Sequence, residues 1–269
     1  MARRARKRRG GEAQGTGVAA SPYIRRGLPF FDPLDEAAIE TLEAQVDWIF
    51  QEIGLEFRDD DEAIRIWQEA GADVQDTRVK APADWIRELC RKAPREFDQV
   101  ARNPERSVRI GGNNQVFAPI YGAPFVRDLK GGRRYGDMDS FVDLVKLAYM
   151  HPNLHHTGLV ICEPCDVPVS HRHLDMVYTH MTASDKPHLG AITEMSRAQD
   201  SVDMAEIVHG RAFMDENCVI MGNVNTNSPL LVDRVVSEAI RTYCGRGQGV
   251  VALWWIINRV QNRRRAGRV

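Results

Sequence analysis

Four side chains of the kind that bind metal ions lie close together near the middle of the chain. Cys162 and Cys165 form a Cys-x-x-Cys pair, and His171 and His173 follow them. Thiolate and imidazole groups are the usual ligands of structural zinc. The spacing of His171 and His173 argues against a shared zinc ion, because residues two apart on a helix point about 200° apart and cannot face one ion. Cys162 also falls within an apolar run, where a buried thiol is an ordinary core residue. We therefore predict neither a metal site nor a thioredoxin-like redox pair.

The glycine cluster at residues 245–249 could be compared with a phosphate-binding loop. In doubly wound nucleotide folds such a loop lies between the first strand and its helix. Gly245, Gly247 and Gly249 instead precede an apolar run that is typical of a strand. The cluster is therefore predicted to connect a helix to a strand.

The second half of the chain has a regular period. Apolar runs begin at residues 158, 188, 218 and 249, and helical segments follow the first three. A (β/α)₈ barrel of about 250 residues has a repeating unit of roughly 31 residues. The spacing therefore predicts an α/β fold with parallel strands, namely an incomplete (β/α)₈ TIM-type barrel.

A helical region with a β hairpin is predicted before this series. A long helix after Asp32-Pro33 would carry one apolar stripe and end at Gly54, which is typical of an amphipathic core helix. Shorter helices are predicted to end at Gly71 and before Pro94, and alternating residues at 106–129 predict the hairpin. The stripe consists of Ile39, Leu42, Val46, Ile49 and Ile53.

Charge and composition divide the chain and exclude some classes of protein. Both ends are rich in arginine, so the folded middle is acidic, and a nucleic-acid partner is not expected. The longest apolar run, at 249–257, is shorter than the roughly 20 residues of a membrane span. Five scattered cysteines favour the reducing cytoplasm.

The predicted segments are a basic disordered tail at 1–27, the helical and hairpin region at 28–150, barrel units at 151–251 and an aberrant basic tail at 252–269.

Several stretches resemble, in order, those of the trimethylamine methyltransferase family. The resemblance runs from about residue 30 to Val251 and ends there. Its stretches are Tyr121-Gly-Ala-Pro-Phe-Val-Arg-Asp128, Gly132-Arg-Arg134 before Asp139, Ser184-Asp-Lys-Pro187, Asn223-Val-Asn-Thr-Asn-Ser-Pro229 with Asp233, and Gly247-Gln-Gly-Val-Val251.

The resemblance implies a methyltransferase that moves a methyl group from a methylated amine to a corrinoid protein. The amine would be trimethylamine or a quaternary amine such as glycine betaine. The chain itself would bind no cofactor, because the corrinoid (cobalamin) belongs to the partner, and the full-length protein is expected to be a homo-oligomer. Some members carry pyrrolysine in a half of the barrel that this chain lacks, so no catalytic residue is assigned here.

Such a reaction needs a pocket that orients the amine, and carboxylates and aromatic faces suit its cationic forms. In a barrel these groups come from the carboxyl-terminal ends of the strands. A loop position or a helix cap is the alternative explanation for each of them, and Ser228-Pro229 is expected to begin the next helix. The predicted substrate-binding residues are Tyr121, Glu163, Glu194, Asn223 and Asn225, with Thr193 beside them.

The end of the chain departs from the series. After Val251 no capping or helical pattern continues, and the predicted units amount to three and part of a fourth, where a closed barrel needs eight. We therefore expect a truncated or out-of-frame terminus, an open barrel and weak order after Val251. The alternative to an active enzyme is a non-catalytic fragment or binding remnant of one.

Overall fold

The computed structural model describes residues 24–29, 31–227 and 230–253, which form a mixed α/β structure. The tails predicted to be disordered lie largely outside these residues. The helices are α1 (Glu36–Trp48), α2 (Asp61–Glu69), α3 (Ala83–Arg91), α4 (Met138–Met150), α5 (Arg172–Ala183), α6 (Met195–His209), α7 (Arg211–Glu216) and α8 (Arg234–Gly245). A π-helical turn at Ile49–Ile53 extends α1, and a 3₁₀ turn forms at Pro104–Arg106. Among the described helices, none is long and apolar enough to cross a membrane.

The strands are short, and most belong to small sheets. They are β1 (Ile24–Arg25), β2 (Leu55–Arg58), β3 (Asp73–Gln75), β4 (Arg78–Lys80), β5 (Glu96–Gln99), β6 (Val108–Gly111), β7 (Asn114–Gln115), β8 (Phe125–Asp128), β9 (Gly132–Tyr135), β10 (Leu189–Gly190), β11 (Met221–Asn225), β12 (Leu231–Asp233) and β13 (Gly249–Leu253).

The predicted period produces a parallel sheet in the order β10-β11-β13. Leu189 pairs with Met221, and Met221 pairs with Gly249. Helices α6 and α7 lie between β10 and β11 in the chain, and α8 lies between β11 and β13. Parallel strands alternating with helices are therefore confirmed for the last three apolar runs.

The strand predicted at residues 158–163 is wrong, because no regular strand forms there. Gly158 has a φ of +71°, in the left-handed region that interrupts an extended strand. The segment still lies beside β10. Thr157 donates a backbone hydrogen bond to Pro187, and Leu189 donates one to Gly158. An irregular segment therefore takes the place of the first predicted strand, and the described residues do not close a barrel.

Tyr243 fixes α8 against the parallel sheet. Its side chain is fully buried, and its hydroxyl donates to the Ala191 carbonyl at 2.8 Å. A Cβ atom on Gly190 would lie 2.1 Å from this hydroxyl oxygen, and one on Gly222 would lie 2.7 Å from the ring. Glycine is therefore needed on both strands for α8 to approach the sheet.

The hairpins of the first half differ from the one predicted at residues 106–129. Strand β6 pairs with the upstream strand β5, and β7 pairs with β1, which lies in the range assigned to the basic tail. The glycine turn at 111–114 therefore joins two strands that have different partners. A turn pattern shows where the chain reverses, but not which distant strand it meets. Strands β8 and β9 pair with each other across the turn at residues 129–131.

Helix α1 is not the predicted core helix. Asp35 rather than Asp32 caps it, and its apolar stripe is exposed, with Leu42 54% accessible. A partly exposed ion pair connects the helix to α3, where Arg87 donates to both carboxylate oxygens of Asp47 at 2.7 and 2.8 Å. The helix itself is confirmed, but a helical period alone cannot show whether another element covers the stripe.

A buried ion pair joins the helical region to α8. Asp60 caps α2 through the Ala63 amide and accepts hydrogen bonds from Ser237 and from Arg241 at 2.8 Å. Burial acts to raise the pKa of Asp60, but these hydrogen bonds outweigh it and hold the pKa below its usual value. Strand β12 strengthens the same junction by pairing in parallel with β2.

Three histidines lie together in the core beside the irregular segment. His180 bonds to Thr157 Oγ1 at 2.9 Å and donates to the Leu159 carbonyl at 2.8 Å. Its ring stacks on that of His188, with 5.7 Å between the centroids. Burial lowers the pKa of His156 and of His180 to about 3 and that of His188 to about 4. All three rings are therefore neutral near pH 7.

These histidines predict a loss of stability in mild acid. Their folded pKa values lie below the unfolded value of about 6.5, so their contribution is complete above that pH and is lost as the pH falls through and below it. Each ring should add a slope of about 1.4 kcal/mol per pH unit to the free energy of unfolding. Urea unfolding at about pH 7.5, 6 and 5 measures this slope, and His180→Gln should reduce it. A free energy that stays constant over this range would contradict the prediction.

Candidate functional site

A cavity of about 250 Å³ opens beyond the end of β10, beside the first turns of α5 and α6. Much of its wall is apolar, and the polar groups are concentrated at a few positions. Small-molecule sites commonly combine an apolar wall with a few placed polar groups. The apolar part of the wall includes Leu159, Val160, Val169, Met176 and Ile192.

Two of the predicted site residues, Tyr121 and Glu163, meet in this cavity. Backbone hydrogen bonds hold their segments side by side, from Gly122 to the Val160 carbonyl at 2.7 Å and from Glu163 to the Ala123 carbonyl at 2.8 Å. The φ of +80° at Gly122 explains why the motif has glycine there. The motif that carries the family resemblance therefore places an aromatic ring next to a carboxylate.

The phenol of Tyr121 stays protonated at neutral pH. Partial removal from solvent raises the pKa of Tyr121 to about 12, and the negative charge of Glu163 adds to the shift. The ring is therefore uncharged, and its face remains available to a cation.

Arg172, which sequence reasoning missed, holds the loop that leads into α5. Its Nε and Nη2 atoms both donate to the Val167 carbonyl, at 3.0 and 2.7 Å, and its Nη1 donates to Glu163 at 3.3 Å. One guanidinium thus fixes the loop and the predicted carboxylate together. The signal that could have identified Arg172 is its position at the first residue of a helix that follows an apolar run.

Arg197, also missed, lines the same cavity from the first turn of α6. It donates to Thr193 Oγ1 at 3.0 Å and to Glu194 at 3.2 Å. Thr193 lines the cavity too. The predicted residue Glu194 is the N-cap position of α6, and its side chain is 56% exposed rather than part of the cavity wall.

The predicted residues Asn223 and Asn225 lie on β11, outside the cavity wall. Residues alternate between the two faces of a strand, so both lie on the face opposite Gly222, which packs on Tyr243. Their side-chain oxygens are buried, and neither accepts a hydrogen bond from a residue that the structure describes. Ser228-Pro229 lies outside the described residues, and the next helix, α8, begins at Arg234.

The Cys and His residues that suggested a metal occupy separate environments. Cys162 is buried, and burial raises the pKa of its thiol to about 11, whereas Cys165 is exposed. His173 bonds to Asp200 at 2.8 Å, and His171 lies beside Ser170. In the parts of the chain that the structure describes, no three His, Cys, Asp or Glu side chains are grouped as metal ligands would be.

Comparison with known proteins gives two matches. The family model "Trimethylamine methyltransferase (MTTB)" matches residues 2–258, so the match starts earlier than residue 30 and continues past Val251. The glycine betaine methyltransferase of Desulfitobacterium hafniense (strain Y51) is 35% identical over 225 residues, which cover 83% of this chain and 47% of that protein. The chain therefore spans about half the length of this curated relative.

The bonds of Arg172 predict that its loss frees the loop at residues 163–171. Arg172→Met removes two charge-assisted bonds to Val167, each worth about 1.5 to 3 kcal/mol, so backbone amides of this loop should exchange at least about tenfold faster. Hydrogen exchange read by mass spectrometry measures the effect. Glu163→Gln is the matched control, because it leaves both bonds to Val167 intact. Equal exchange in the two variants would contradict this account of the loop.

Proposed function

The chain belongs to the trimethylamine methyltransferase family, and from this premise we propose that it transfers a methyl group from a methylated amine to a corrinoid protein. The cavity at Tyr121 and Glu163 is the observation that supports the proposal most strongly. An aromatic face beside a carboxylate attracts a quaternary or protonated amine. The apolar wall excludes water from the methyl groups and suits their surface.

A barrel would place its active site at the position of this cavity. In this proposal β10, β11 and β13 belong to a (β/α)₈ barrel of the TIM type, whose active site lies at the carboxyl-terminal ends of its strands. Thr193 lies in the short segment between β10 and α6, and Asn225 is the last residue of β11. Asn223 and Asn225 would then offer their unpaired oxygens to the barrel interior.

The reaction moves one carbon and leaves the electrons balanced. The bond between the methyl carbon and nitrogen breaks, and its electron pair stays on nitrogen, so a quaternary amine becomes a neutral tertiary amine. The electron pair for the new bond to carbon would come from the reduced corrinoid of the partner protein. The residues of the chain hold the ammonium group and orient one methyl group toward the opening.

The size of the cavity supports an acceptor that approaches from outside. A volume of about 250 Å³ suits a small amine and is far too small for a corrinoid ring. In the proposed reaction the corrinoid therefore belongs to the partner protein, and Glu163 and Tyr121 act on the amine alone.

Binding of methylated amines tests the proposal first. Calorimetric titration with tetramethylammonium, trimethylamine and glycine betaine should detect binding, and Tyr121→Leu should weaken it about tenfold, since a cation–π contact contributes about 0.5 to 2 kcal/mol. Tyr178→Leu is the matched control, because Tyr178 is 62% exposed on α5. Methylation of a reduced corrinoid protein, followed by absorbance, then tests the transfer itself.

Two outcomes would contradict this function. If none of the three amines binds, or if Tyr121→Leu leaves the affinities unchanged, the cavity is not the amine site. Binding that depends on Tyr121 without any methylation of the corrinoid protein would instead favour the alternative, a binding remnant of such an enzyme.

A further inference from the structure

The hairpin of β8 and β9 concentrates positive charge on a chain whose net charge is −1. Residues 125–135 include three arginines and one lysine but a single acid, Asp128. Arg134 already pairs with this acid, since its Nη1 donates to the carboxylate at 2.5 Å. Arg127 and Lys130 are exposed, and neither forms an ion pair with a residue that the structure describes. The hairpin therefore carries positive charge that the fold leaves uncompensated.

The two faces of this hairpin differ. Arg127 is paired with Arg133, and Phe125 with Tyr135, so all four side chains lie on one face of the two-stranded ribbon. On the opposite face Val126 packs against the core. The face with the two arginines, called the basic face below, therefore points away from the core.

The basic face is built at a cost to the hairpin. Like charges directly opposite each other on paired strands are destabilising, and Arg127 and Arg133 are such a pair. The guanidinium of Arg133 lies 3.8 Å from the centroid of the Phe125 ring, and this ring contacts that of Tyr135, with 4.6 Å between the centroids. These contacts hold Arg133 in place, but they leave the charge of Arg127 unneutralised. Local arrangements that oppose stability are expected where a surface has a function.

Backbone hydrogen bonds fix the base of the hairpin beside the cavity. Gly136 donates to the Pro124 carbonyl at 3.1 Å and accepts from Cys165 at 2.9 Å. Residues 124 and 136 flank the hairpin on its two sides, so both ends of it are tied to the segment that supplies Glu163 to the cavity wall. The hairpin and the cavity therefore keep a fixed relation to each other.

We propose that the basic face docks an acidic surface of the protein that carries the methyl acceptor. This inference rests on the proposed function and adds a surface for its partner. A cavity of about 250 Å³ cannot admit a corrinoid, so the partner must cover the opening during transfer, and the hairpin stands next to the Tyr121 and Glu163 wall. Opposite charges speed the encounter of two proteins and fix their orientation.

The distribution of charge favours a protein partner over a nucleic acid. Proteins that bind nucleic acids usually have a strongly basic domain, whereas this chain has 36 basic and 37 acidic residues. A basic area confined to one hairpin suits a local acidic patch on a folded partner.

Titration of the whole chain with the corrinoid protein of the transfer assay, at about 0.05 M and about 0.5 M salt, tests the proposal. Arg127→Gln/Lys130→Gln should weaken binding about fivefold at the lower salt concentration. The difference should nearly disappear at the higher one, because salt screens exposed charges. Both positions are exposed, and the substitution at Arg127 removes the repulsion from Arg133, so the hairpin should remain folded.

Arg91→Gln/Lys92→Gln is the matched control, because it removes the same charge from exposed positions at the end of α3. Its affinity should stay within about twofold of that of the unsubstituted chain. Transfer kinetics give a second measurement. Arg127→Gln/Lys130→Gln should raise the KM for the corrinoid protein about fivefold but change transfer to free reduced cobalamin less than about twofold, since free cobalamin has no acidic protein surface.

The outcomes separate this inference from the proposed function. If both double variants weaken binding equally, or if the corrinoid protein does not bind the unsubstituted chain at low salt, the inference fails. It also fails if transfer to free cobalamin falls as much as transfer to the protein, or if a single-stranded oligonucleotide binds the hairpin more tightly than the corrinoid protein does. Salt-dependent binding through the hairpin without methylation of either acceptor would support the inference and contradict the proposed function.

Discussion

The backbone of Ala191 is held from two sides, and the cavity depends on that constraint. Its amide donates to Ser201 Oγ at 3.0 Å, and its carbonyl accepts from the Tyr243 hydroxyl at 2.8 Å. These side chains belong to α6 and α8, so two helices together fix the residue that follows β10. Gly190 makes the approach possible because it has no Cβ atom. Thr193 and Arg197 therefore extend from an anchored segment, and an anchored segment can orient a small ligand.

The opposite wall depends on the half of the chain that precedes the parallel strands. Tyr121 comes from that half, and the bond from Gly122 to Val160 places its ring beside residues 159–163. The boundary predicted near residue 150 would therefore cross the cavity, because the helical region contributes Tyr121 to its wall. Asp60 also connects the helical region to the second half of the chain, because Arg241 of α8 donates a hydrogen bond to it. Loosening this region would disturb the cavity as well as the stability of the fold.

Sequence patterns correctly predict those features of the fold that are determined by nearby residues. The period of about 31 residues predicts the three strands of the parallel sheet. Tyr121 and Glu163, both predicted as site residues, line one cavity, and their binding role stays a prediction. Burial depends on distant residues, so the helical period around Leu42 predicts a core stripe that the structure leaves exposed. An apolar run does not reveal a positive φ, so it predicts a strand where Gly158 interrupts one. The spacing of residues also gives no sign of Arg172, because its bond to the Val167 carbonyl depends on how the intervening loop folds.

Ion pairs fix the polar groups on both sides of the cavity. Arg172 holds Glu163 within the wall, and Arg197 of α6 pairs with the exposed Glu194 beside it. The segment of Glu163 is also bonded through its backbone to Ala123, two residues after Tyr121. The carboxylate and the aromatic ring on which the proposed amine site depends are therefore fixed relative to each other before any ligand enters, and a site of this kind loses little free energy in reorganising around a ligand.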